Sequence, residues 1–186
     1  MATLYLLPTP IADGAVELAL PAATIALSRT LNYFLAENAK SARAFLKQIE
    51  HPRPLRELTI VEIGHAPDPS MIDEWLRPIV AGTDAALVSE AGCPAVADPG
   101  ATLVEAAHRQ AIRVCPLVGP SSLLLALMAS GLNGQRFRFL GYLPVATAER
   151  SARIAAIERE SRNGETQIFI ETPYRGDAMF DALLQT

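Results

Sequence analysis

Cysteine and histidine are scarce in this sequence of 186 residues. Two cysteines, Cys93 and Cys115, are too few for a scaffold held by disulfides. Neither has a second cysteine or a histidine at the spacing of a metal site. The histidines at 51, 65 and 108 are scattered and form no H-E-x-x-H motif. We therefore expect the cysteines to be small buried side chains, and we expect no metal centre.

The sequence also lacks an excess of positive charge, since its formal net charge is −4. Residues 1–115 carry 9 Lys and Arg against 13 Asp and Glu, and residues 116–186 carry 7 against 7. Nucleic-acid-binding proteins usually show a basic face. The overall charge thus counts against an RNA substrate, although it leaves room for a local basic patch.

No segment has the features of a secretory signal or a membrane span. The N-terminus has no basic region and leads directly into an apolar, strand-like segment. The longest uncharged run, residues 114–135, is interrupted by two prolines and three glycines, which disfavour a transmembrane helix. We expect a cytoplasmic protein without a membrane segment.

Short apolar runs alternate with helical patterns over the first 115 residues. The runs do not alternate with polar residues, as is typical of parallel strands buried on both faces. This pattern predicts an α/β fold whose N-terminal domain is an open parallel sheet with helices on both faces. The predicted strands are 3–7, 31–36, 59–63, 84–89 and 112–115, and the predicted helices are about 18–28, 39–50, 70–80 and 100–110.

The pattern is interrupted at Pro116-Leu117-Val118-Gly119-Pro120, which predicts a boundary between domains 1–116 and 117–186. The second domain is a smaller α/β unit, with strands at 137–141 and 166–170. Its predicted helices are 121–130, 147–161 and one from about 174. Because two strands leave poorly covered edges, we expect further sequence after Thr186.

Three segments lie where an open α/β sheet binds ligands, beyond the carboxyl ends of its strands. They are Pro8–Gly14, Ser89–Gly100 and Leu117–Ser122. None contains a dinucleotide fingerprint or a phosphate-binding Walker loop. On pattern alone the first is an ordinary strand-to-helix turn. The second is long and rich in small residues, so it is either a ligand loop or a plain connection. In the third, Ser121 or Ser122 caps a helix or faces a carboxylate ligand.

Acidic side chains follow three of the predicted strands. Glu37, Glu62 and Glu90 are placed near the carboxyl edge of the sheet, where acid–base catalysis is feasible, although a solvated or hydrogen-bonded glutamate explains each of them better. A basic and aromatic alternation, Arg136-Phe137-Arg138-Phe139, resembles a nucleic-acid surface, and a half-buried strand gives the same pattern.

Taken together, the segments resemble a known family. Residues 85–100, A-A-L-V-S-E-A-G-C-P-A-V-A-D-P-G, are similar to A-L-V-S-D-A-G-T-P-x-I-x-D-P-G of the tetrapyrrole methylase superfamily. Residues 112–122, I-R-V-C-P-L-V-G-P-S-S, resemble its I-x-V-x-P-x-P-G-P-[CS]-A motif. The segments A-S-G-L (129–132), F-L-G-Y-L-P (139–144) and I-F-I-E-T-P-Y-R (168–175) match further motifs. The resemblance is strongest to the branch that methylates a cytidine 2′-hydroxyl of small-subunit ribosomal RNA.

The resemblance implies a methyltransferase that uses S-adenosyl-L-methionine, is commonly a homodimer, and binds the cofactor in the cleft between its two domains. It places cofactor contacts in all three segments and at the end of the last strand. The implied cofactor-binding residues are Ile11, Ala91, Gly92, Cys93, Val96, Ser121, Ser122, Ile170 and Glu171.

The departures from that branch lie on the side expected to bind the acceptor. A-E-D-T-R is replaced by Ala36-Glu37-Asn38-Ala39-Lys40, T-P-I-G-N by Thr9-Pro10-Ile11-Ala12-Asp13, and of H-x-H-N-E only His65 remains. Glu37 is then the nearest candidate for a catalytic base. Three hypotheses stay open: a methyltransferase acting on ribosomal RNA, one acting on a small molecule, and a cofactor-binding paralogue without activity on ribosomal RNA.

Overall fold

The computed structural model describes residues 2–186 of the chain. Its elements occur close to the predicted positions, and β1 has the predicted bounds. The strands are β1 (Thr3–Leu7), β2 (Tyr33–Ala36), β3 (Thr59–Glu62), β4 (Ala85–Val88), β5 (Arg113–Pro116), β6 (Phe137–Tyr142) and β7 (Thr166–Ile170). The helices are α1 (Val16–Ala19), α2 (Ala22–Ser28), α3 (Ala39–Gln48), α4 (Ile72–Val80), α5 (Ala101–Arg109), α6 (Ser122–Ser130), α7 (Thr147–Ser161) and α8 (Gly176–Gln185).

The first five strands form one parallel sheet in the order β3-β2-β4-β1-β5. Two of the three inner strands, β2 and β4, are buried at all four residues. Such strands have no solvent-facing side, which explains their unbroken apolar sequences. The predicted α/β class with a parallel sheet is confirmed.

Two apolar cores cover the two faces of this sheet, because successive residues of a strand point to opposite faces. In β2, Phe34 packs with residues of α1, α2 and α3, including Phe45 and Leu46. Its neighbour Leu35 packs on the other side with α4 and α5, for example with Leu76 and Leu103. The helices therefore lie on both faces, as the sequence predicts.

Two helix boundaries differ from the prediction. The helix expected at 18–28 is split into α1 and α2 at Leu20-Pro21, because proline has no N–H to continue a helix. Helix α4 begins at Ile72 without a side-chain cap. Asp68, one of the residues expected to cap it, instead accepts hydrogen bonds from the backbone N–H and the hydroxyl of Ser70.

The strand order places two ligand-loop candidates side by side. β1 and β4 are neighbours in the sheet, yet α2 after β1 packs on one face and α5 after β4 packs on the other. Where neighbouring connections leave to opposite faces, a crevice opens at the carboxyl edge of the sheet. The sheet thus positions a site between Pro8–Gly14 and Ser89–Gly100.

The chain divides into two compact units, one ending at Ser122 and the other beginning at Leu123. The second unit contains the parallel pair β6 and β7 and a small core of five buried residues. They are Leu143, Ile154, Ile157, Met179 and Ala182. The functional domains 1–116 and 117–186 stay a prediction. Among the described residues, no helix is long and apolar enough to cross a membrane.

Candidate functional site

The loops after β1 and β4 are joined by a short antiparallel bridge between Thr9 and Gly92. The N–H of Thr9 donates to the carbonyl of Gly92 at 3.0 Å, and the N–H of Gly92 donates to the carbonyl of Thr9 at 3.1 Å. These residues are more than eighty positions apart in the sequence. The bridge fixes the spacing of the two loops directly beyond the strand ends.

Two buried hydroxyls reinforce this bridge. The Ser89 hydroxyl donates to the Gly92 carbonyl at 2.6 Å, and the Thr9 hydroxyl donates to the Ser89 carbonyl at 3.2 Å. Both residues are only 4% exposed. Because a buried polar group without a partner is costly, these bonds hold the loops in one arrangement. We refer to Thr9, Ser89 and Gly92 as the loop clasp.

Gly92 is the point where all three predicted segments converge. Its φ is +74°, in the left-handed region that favours glycine. A Cβ at this position would lie 3.3 Å from Ile11 Cγ2 and 3.4 Å from the carbonyl oxygen of Pro120. The thiol of Cys93 also points to the Pro120 carbonyl, at 3.3 Å. The structure thus brings together Ile11, Gly92, Cys93 and the residue before Ser121.

The rest of the β4 loop is held by one carboxylate. Asp98 Oδ1 accepts from the N–H of Ala95 at 3.1 Å and from the N–H of Gly100 at 2.7 Å. Ala95 and Ala97 have φ values of +65° and +54°, a strained conformation for alanine. Val96 between them is 48% exposed. An apolar side chain is therefore presented to solvent by a stiff backbone, as a ligand-binding loop requires.

The third segment packs tightly against the first. A Cβ on Gly119 would lie 2.4 Å from Cβ and Cγ of Pro8, so only glycine fits at this position. The Thr24 hydroxyl donates to the Val118 carbonyl at 2.9 Å. The start of α6, with Ser121 and Ser122, is thus anchored to the β1 loop.

A cleft of about 620 Å³ opens between the β1 loop, α3 and the start of the β4 loop. That volume lies in the range of small-ligand sites. Of the predicted cofactor residues, only Ile11 and Ala91 line it. The other lining residues are Thr9, Pro10, Ala12, Asp13, Gly14, Ser41, Ala44, Phe45, Gln48, Ser89 and Glu90.

The wall of this cleft that α3 supplies was not among the sequence predictions. Ser41, Ala44, Phe45 and Gln48 are three or four positions apart, so they share one side of the helix. Gln48 Nε2 donates to the Gly14 carbonyl at 2.8 Å and ties α3 to the β1 loop. The spacing was a usable signal, but nothing local showed that this side faces the β1 loop.

The three glutamates near strand ends have different partners. Glu62 accepts from the N–H of Ala39 at 2.9 Å at the start of α3, and Glu90 accepts from the Ser41 hydroxyl at 2.9 Å. Glu37 is paired with His65, with its side chain 12% exposed. Glu62 thus has a structural role, while Glu90 borders the cleft.

The pKa of the Glu37 carboxyl is raised above its usual value, first by burial and then by the nearby carboxylates Asp98 and Glu90, while His65 opposes the shift. A carboxylate with a raised pKa is a better proton acceptor. The pKa of Glu37, the candidate base, is therefore shifted in the direction that favours proton acceptance.

Both cysteines are partly buried rather than buried, because they lie at the rim of the sheet and in the β4 loop. Burial raises the pKa of the Cys93 thiol, so the thiol stays neutral at neutral pH and is a poor nucleophile. Within residues 2–186, no three side chains that could bind a metal ion come together.

The second unit contains the two remaining predicted cofactor residues, Ile170 and Glu171, at the carboxyl end of β7. Glu171 accepts from the N–H of Thr172 at 2.8 Å and pairs with Arg175 at 2.8 Å. Arg138 in β6 is paired with Glu160 and lies 3.7 Å from Glu165. The basic and aromatic alternation at 136–139 thus lies mostly in strand β6, and one of its two arginines, Arg138, already has anionic partners.

The residues of the first unit fit the cofactor that the sequence resemblance implies. A left-handed glycine lets the three segments approach one another closely, and a Cβ would crowd Ile11 and Pro120 in the resulting cradle. The loop clasp fixes this cradle before a ligand arrives. Ile11, Ala91, Gly92, Cys93 and Val96 belong to the two loops that form it.

Sequence comparison provides relatives for this architecture. A protein of Xylella fastidiosa (strain Temecula1) named Ribosomal RNA small subunit methyltransferase I is 37% identical over 174 residues, which cover 93% of this chain and 59% of that protein. The chain is a homologue of the proteins of this name. Proteins of the same name in Halalkalibacterium halodurans and Micromonospora olivasterospora are each 33% identical, over 98% and 95% of the chain.

The family resemblance inferred from the motifs is confirmed by these relatives. The chain spans 53–60% of the length of these three methyltransferases. A shorter match, to the Pseudomonas aeruginosa protein of that name, is 46% identical over 101 residues. No protein-family model matches the chain.

Proposed function

We propose that this protein is an S-adenosylmethionine-dependent methyltransferase of the tetrapyrrole methylase superfamily that acts on small-subunit ribosomal RNA. The observation that carries the proposal is the convergence of the three motif segments at Gly92. The names of the homologues support the reaction and the substrate.

The proposed cofactor-binding residues are Ile11, Ala91, Gly92, Cys93, Val96, Ser121 and Ser122, with Ile170 and Glu171 of β7. When bound, S-adenosyl-L-methionine supplies an electrophilic methyl group on a sulfonium. The protein's part is to hold this group in line with the acceptor and to exclude water. The loop clasp and the Asp98 hydrogen bonds provide the rigidity that alignment needs.

The acceptor is proposed to be a ribose hydroxyl held in the cleft beside α3. Methylation would form a bond between the acceptor oxygen and the methyl carbon while the bond from that carbon to the sulfonium sulfur breaks, which leaves S-adenosylhomocysteine, and the hydroxyl proton has to leave. Glu37 does not itself line the cleft, but it is proposed to take that proton, supported by its raised pKa and by the nearness of its carboxylate to that of Glu90, which lines the cleft. His65 is proposed to orient the Glu37 carboxyl.

Two other hypotheses remain testable. A small-molecule acceptor was suggested by the net charge of −4, and a paralogue without activity by the degraded A-E-D-T-R motif. The homologues favour the ribosomal RNA reading over both. We also propose a cytoplasmic homodimer, since α6 is almost entirely apolar and such a helix needs a partner surface.

The test is methyl transfer from labelled S-adenosyl-L-methionine to isolated small ribosomal subunits by the full-length protein, with mass spectrometry of the RNA. We expect one ribose to gain a methyl group, and we expect the cofactor alone to raise the melting temperature. Stabilisation by the cofactor with no transfer to RNA would instead support a paralogue without this activity.

A further inference from the structure

Helix α3 carries three cations on one exposed side. Lys40, Arg43 and Lys47 are three and four positions apart, so they lie above one another along the helix. All three side chains are exposed. None of the ion pairs within residues 2–186 involves them. We call these three residues the α3 stripe.

The α3 stripe lies along the rim of the cleft. Ser41, Ala44 and Gln48 of the same helix line the cleft, and each is next to a stripe residue in the sequence. A turn of helix advances by 3.6 residues, so the stripe and the cleft wall occupy adjoining sides of α3. Any ligand long enough to leave the cleft over α3 therefore meets the three cations.

The cleft and its rim differ in charge. The charged residues that line the cleft are Asp13 and Glu90, and no Lys or Arg belongs to its lining. A phosphate would be repelled inside the cleft and attracted to the rim. Hydroxyl and amino groups, in contrast, can donate to the carboxylates and backbone carbonyls of the cleft.

This arrangement matches one nucleotide unit of a flexible strand, with a polyanionic backbone and a neutral, donor-rich ribose and base. We propose that the α3 stripe binds the phosphate backbone of single-stranded RNA, while an unstacked ribose and base enter the cleft. The inference rests on the proposed function and deepens it. Single strands are favoured because bases in a duplex are stacked and cannot turn into a cleft.

The stripe also resolves the objection from net charge. Nucleic-acid affinity depends on the number of phosphates that local cations neutralise, and each contact adds to the salt dependence of binding. Three unpaired cations on one helix can neutralise phosphates in this way even though residues 1–115 are acidic overall. Of the two arginines in the other sequence candidate for such a surface, residues 136–139, Arg138 is already paired with Glu160, whereas the α3 stripe offers three cations.

The test compares two triple-alanine variants of the full-length protein. One removes the stripe (Lys40→Ala, Arg43→Ala, Lys47→Ala). The control removes three cations from α4, α5 and β5 (Arg77→Ala, Arg109→Ala, Arg113→Ala). Both change the net charge equally. Because alanine favours helices and the stripe residues are exposed, the stripe variant should fold and bind the cofactor like wild type.

Binding of a short, labelled single-stranded RNA is measured over a range of salt concentrations. The slope of log K against log salt should become shallower by about 2 in the stripe variant, from roughly 0.7 per lost phosphate contact. The control should keep the wild-type slope. Equal slopes in both variants, or tighter wild-type binding to a duplex of the same sequence, would overturn the proposal.

The two proposals fail in different ways. Methylation of the small subunit by wild type, together with unchanged RNA binding by the stripe variant, would contradict the stripe proposal and support the proposed function. Absence of methyl transfer, with salt-dependent RNA binding lost only in the stripe variant, would contradict the proposed function and support the stripe as an RNA-binding surface. Salt-independent or absent RNA binding by wild type would overturn the stripe proposal.

Discussion

At the scale of single residues, Gly92 combines a backbone requirement with a contact requirement. Its φ of +74° disfavours any side chain, and its Cα faces Ile11 and the Pro120 carbonyl. A large substitution such as Gly92→Val is therefore expected to destabilise the loop as well as to crowd Ile11. A smaller substitution separates the two effects.

We expect Gly92→Ala to weaken S-adenosylmethionine binding and to cost about 1–2 kcal/mol of stability from its left-handed backbone. The matched control is Gly64→Ala, since Gly64 has a φ of +69° and nothing within 4 Å of its added Cβ. It should lose similar stability but keep cofactor affinity. Urea unfolding and calorimetric titration measure the two quantities, and equal cofactor affinities would show that Gly92 is not at the ligand.

The Thr9 hydroxyl tests the loop clasp. Thr9→Val keeps the shape of the side chain but removes the donor to the Ser89 carbonyl, which should cost about 1–3 kcal/mol because that carbonyl group is buried. The affinity for the cofactor should fall with it. Thr9→Ser retains the hydroxyl and should restore most of the affinity. A Thr9→Val variant with full stability and affinity would contradict the clasp.

The pKa of Glu37 predicts a pH dependence. A general base works when deprotonated, so methyl transfer should rise with pH through a raised glutamate pKa. Since His65 lowers this pKa, His65→Ala should move the rise to higher pH. Glu37→Gln should reduce the rate by about 10²–10⁴ and abolish the rise. A pH–rate profile of the three proteins tests this, and an unchanged profile in Glu37→Gln would exclude Glu37 as the base.

The same shift has a consequence for stability. The folded state holds the Glu37 proton more tightly than the unfolded chain, so ionisation works against folding. The protonated Glu37 carboxyl thus contributes to the free energy of unfolding. This contribution is fully present below the pKa of the unfolded state and declines as the pH rises through the pKa of the folded state. Glu37→Gln, which cannot ionise, should not show that decline.

At the scale of elements, the connection from β5 to α6 is held by a close approach of backbone to proline. Gly119→Ala would place a methyl group 2.4 Å from Pro8, and a rigid ring cannot move away. We expect a loss of about 1–3 kcal/mol from overpacking. Gly134→Ala, with nothing within 4 Å, is the control and should be nearly neutral. Thermal unfolding distinguishes the two, and equal melting temperatures would contradict this packing.

Helix α3 shows how one element serves several roles. Its buried side, with Phe45 and Leu46, packs on the sheet. A second side lines the cleft, and a third carries the stripe. The Asn38 side chain caps its start by accepting from the N–H groups of Lys40 and Ser41. The degraded A-E-D-T-R motif therefore still performs a structural function, because asparagine is a good N-cap.

At the scale of the whole molecule, the two units have cores of very different size. The five-stranded sheet is covered on both faces, whereas β6 and β7 form a two-stranded sheet over five buried residues. Two strands are marginal in water unless they pack well. We expect amide hydrogens of β6 and β7 to exchange faster than those of β2 and β4. Hydrogen exchange with mass spectrometry measures this, and equal protection would show a uniformly stable chain.

Much of the fold could be read from the sequence because its signals are local. The apolar runs of β1, β2 and β4 identify buried strands within four or five residues. The small residues and the motif of the β4 loop singled it out as a candidate ligand loop. The wall of the cleft on α3 could not be found, since it depends on which side of the helix faces Gly14. The α3 stripe was not predicted for the same reason, and because residues 1–115 are acidic overall.

The sequence by itself determined the strands, the parallel α/β class, the family resemblance and the positions of three candidate ligand segments, because each depends on short patterns along the chain. Only the tertiary structure decided that β1 and β4 are neighbours, that Thr9 bridges to Gly92, and that a basic stripe borders an acidic cleft. The physical reason is distance along the chain. Thr9 and Gly92 meet through strand pairing and helix packing, and no local pattern encodes which strands will pair.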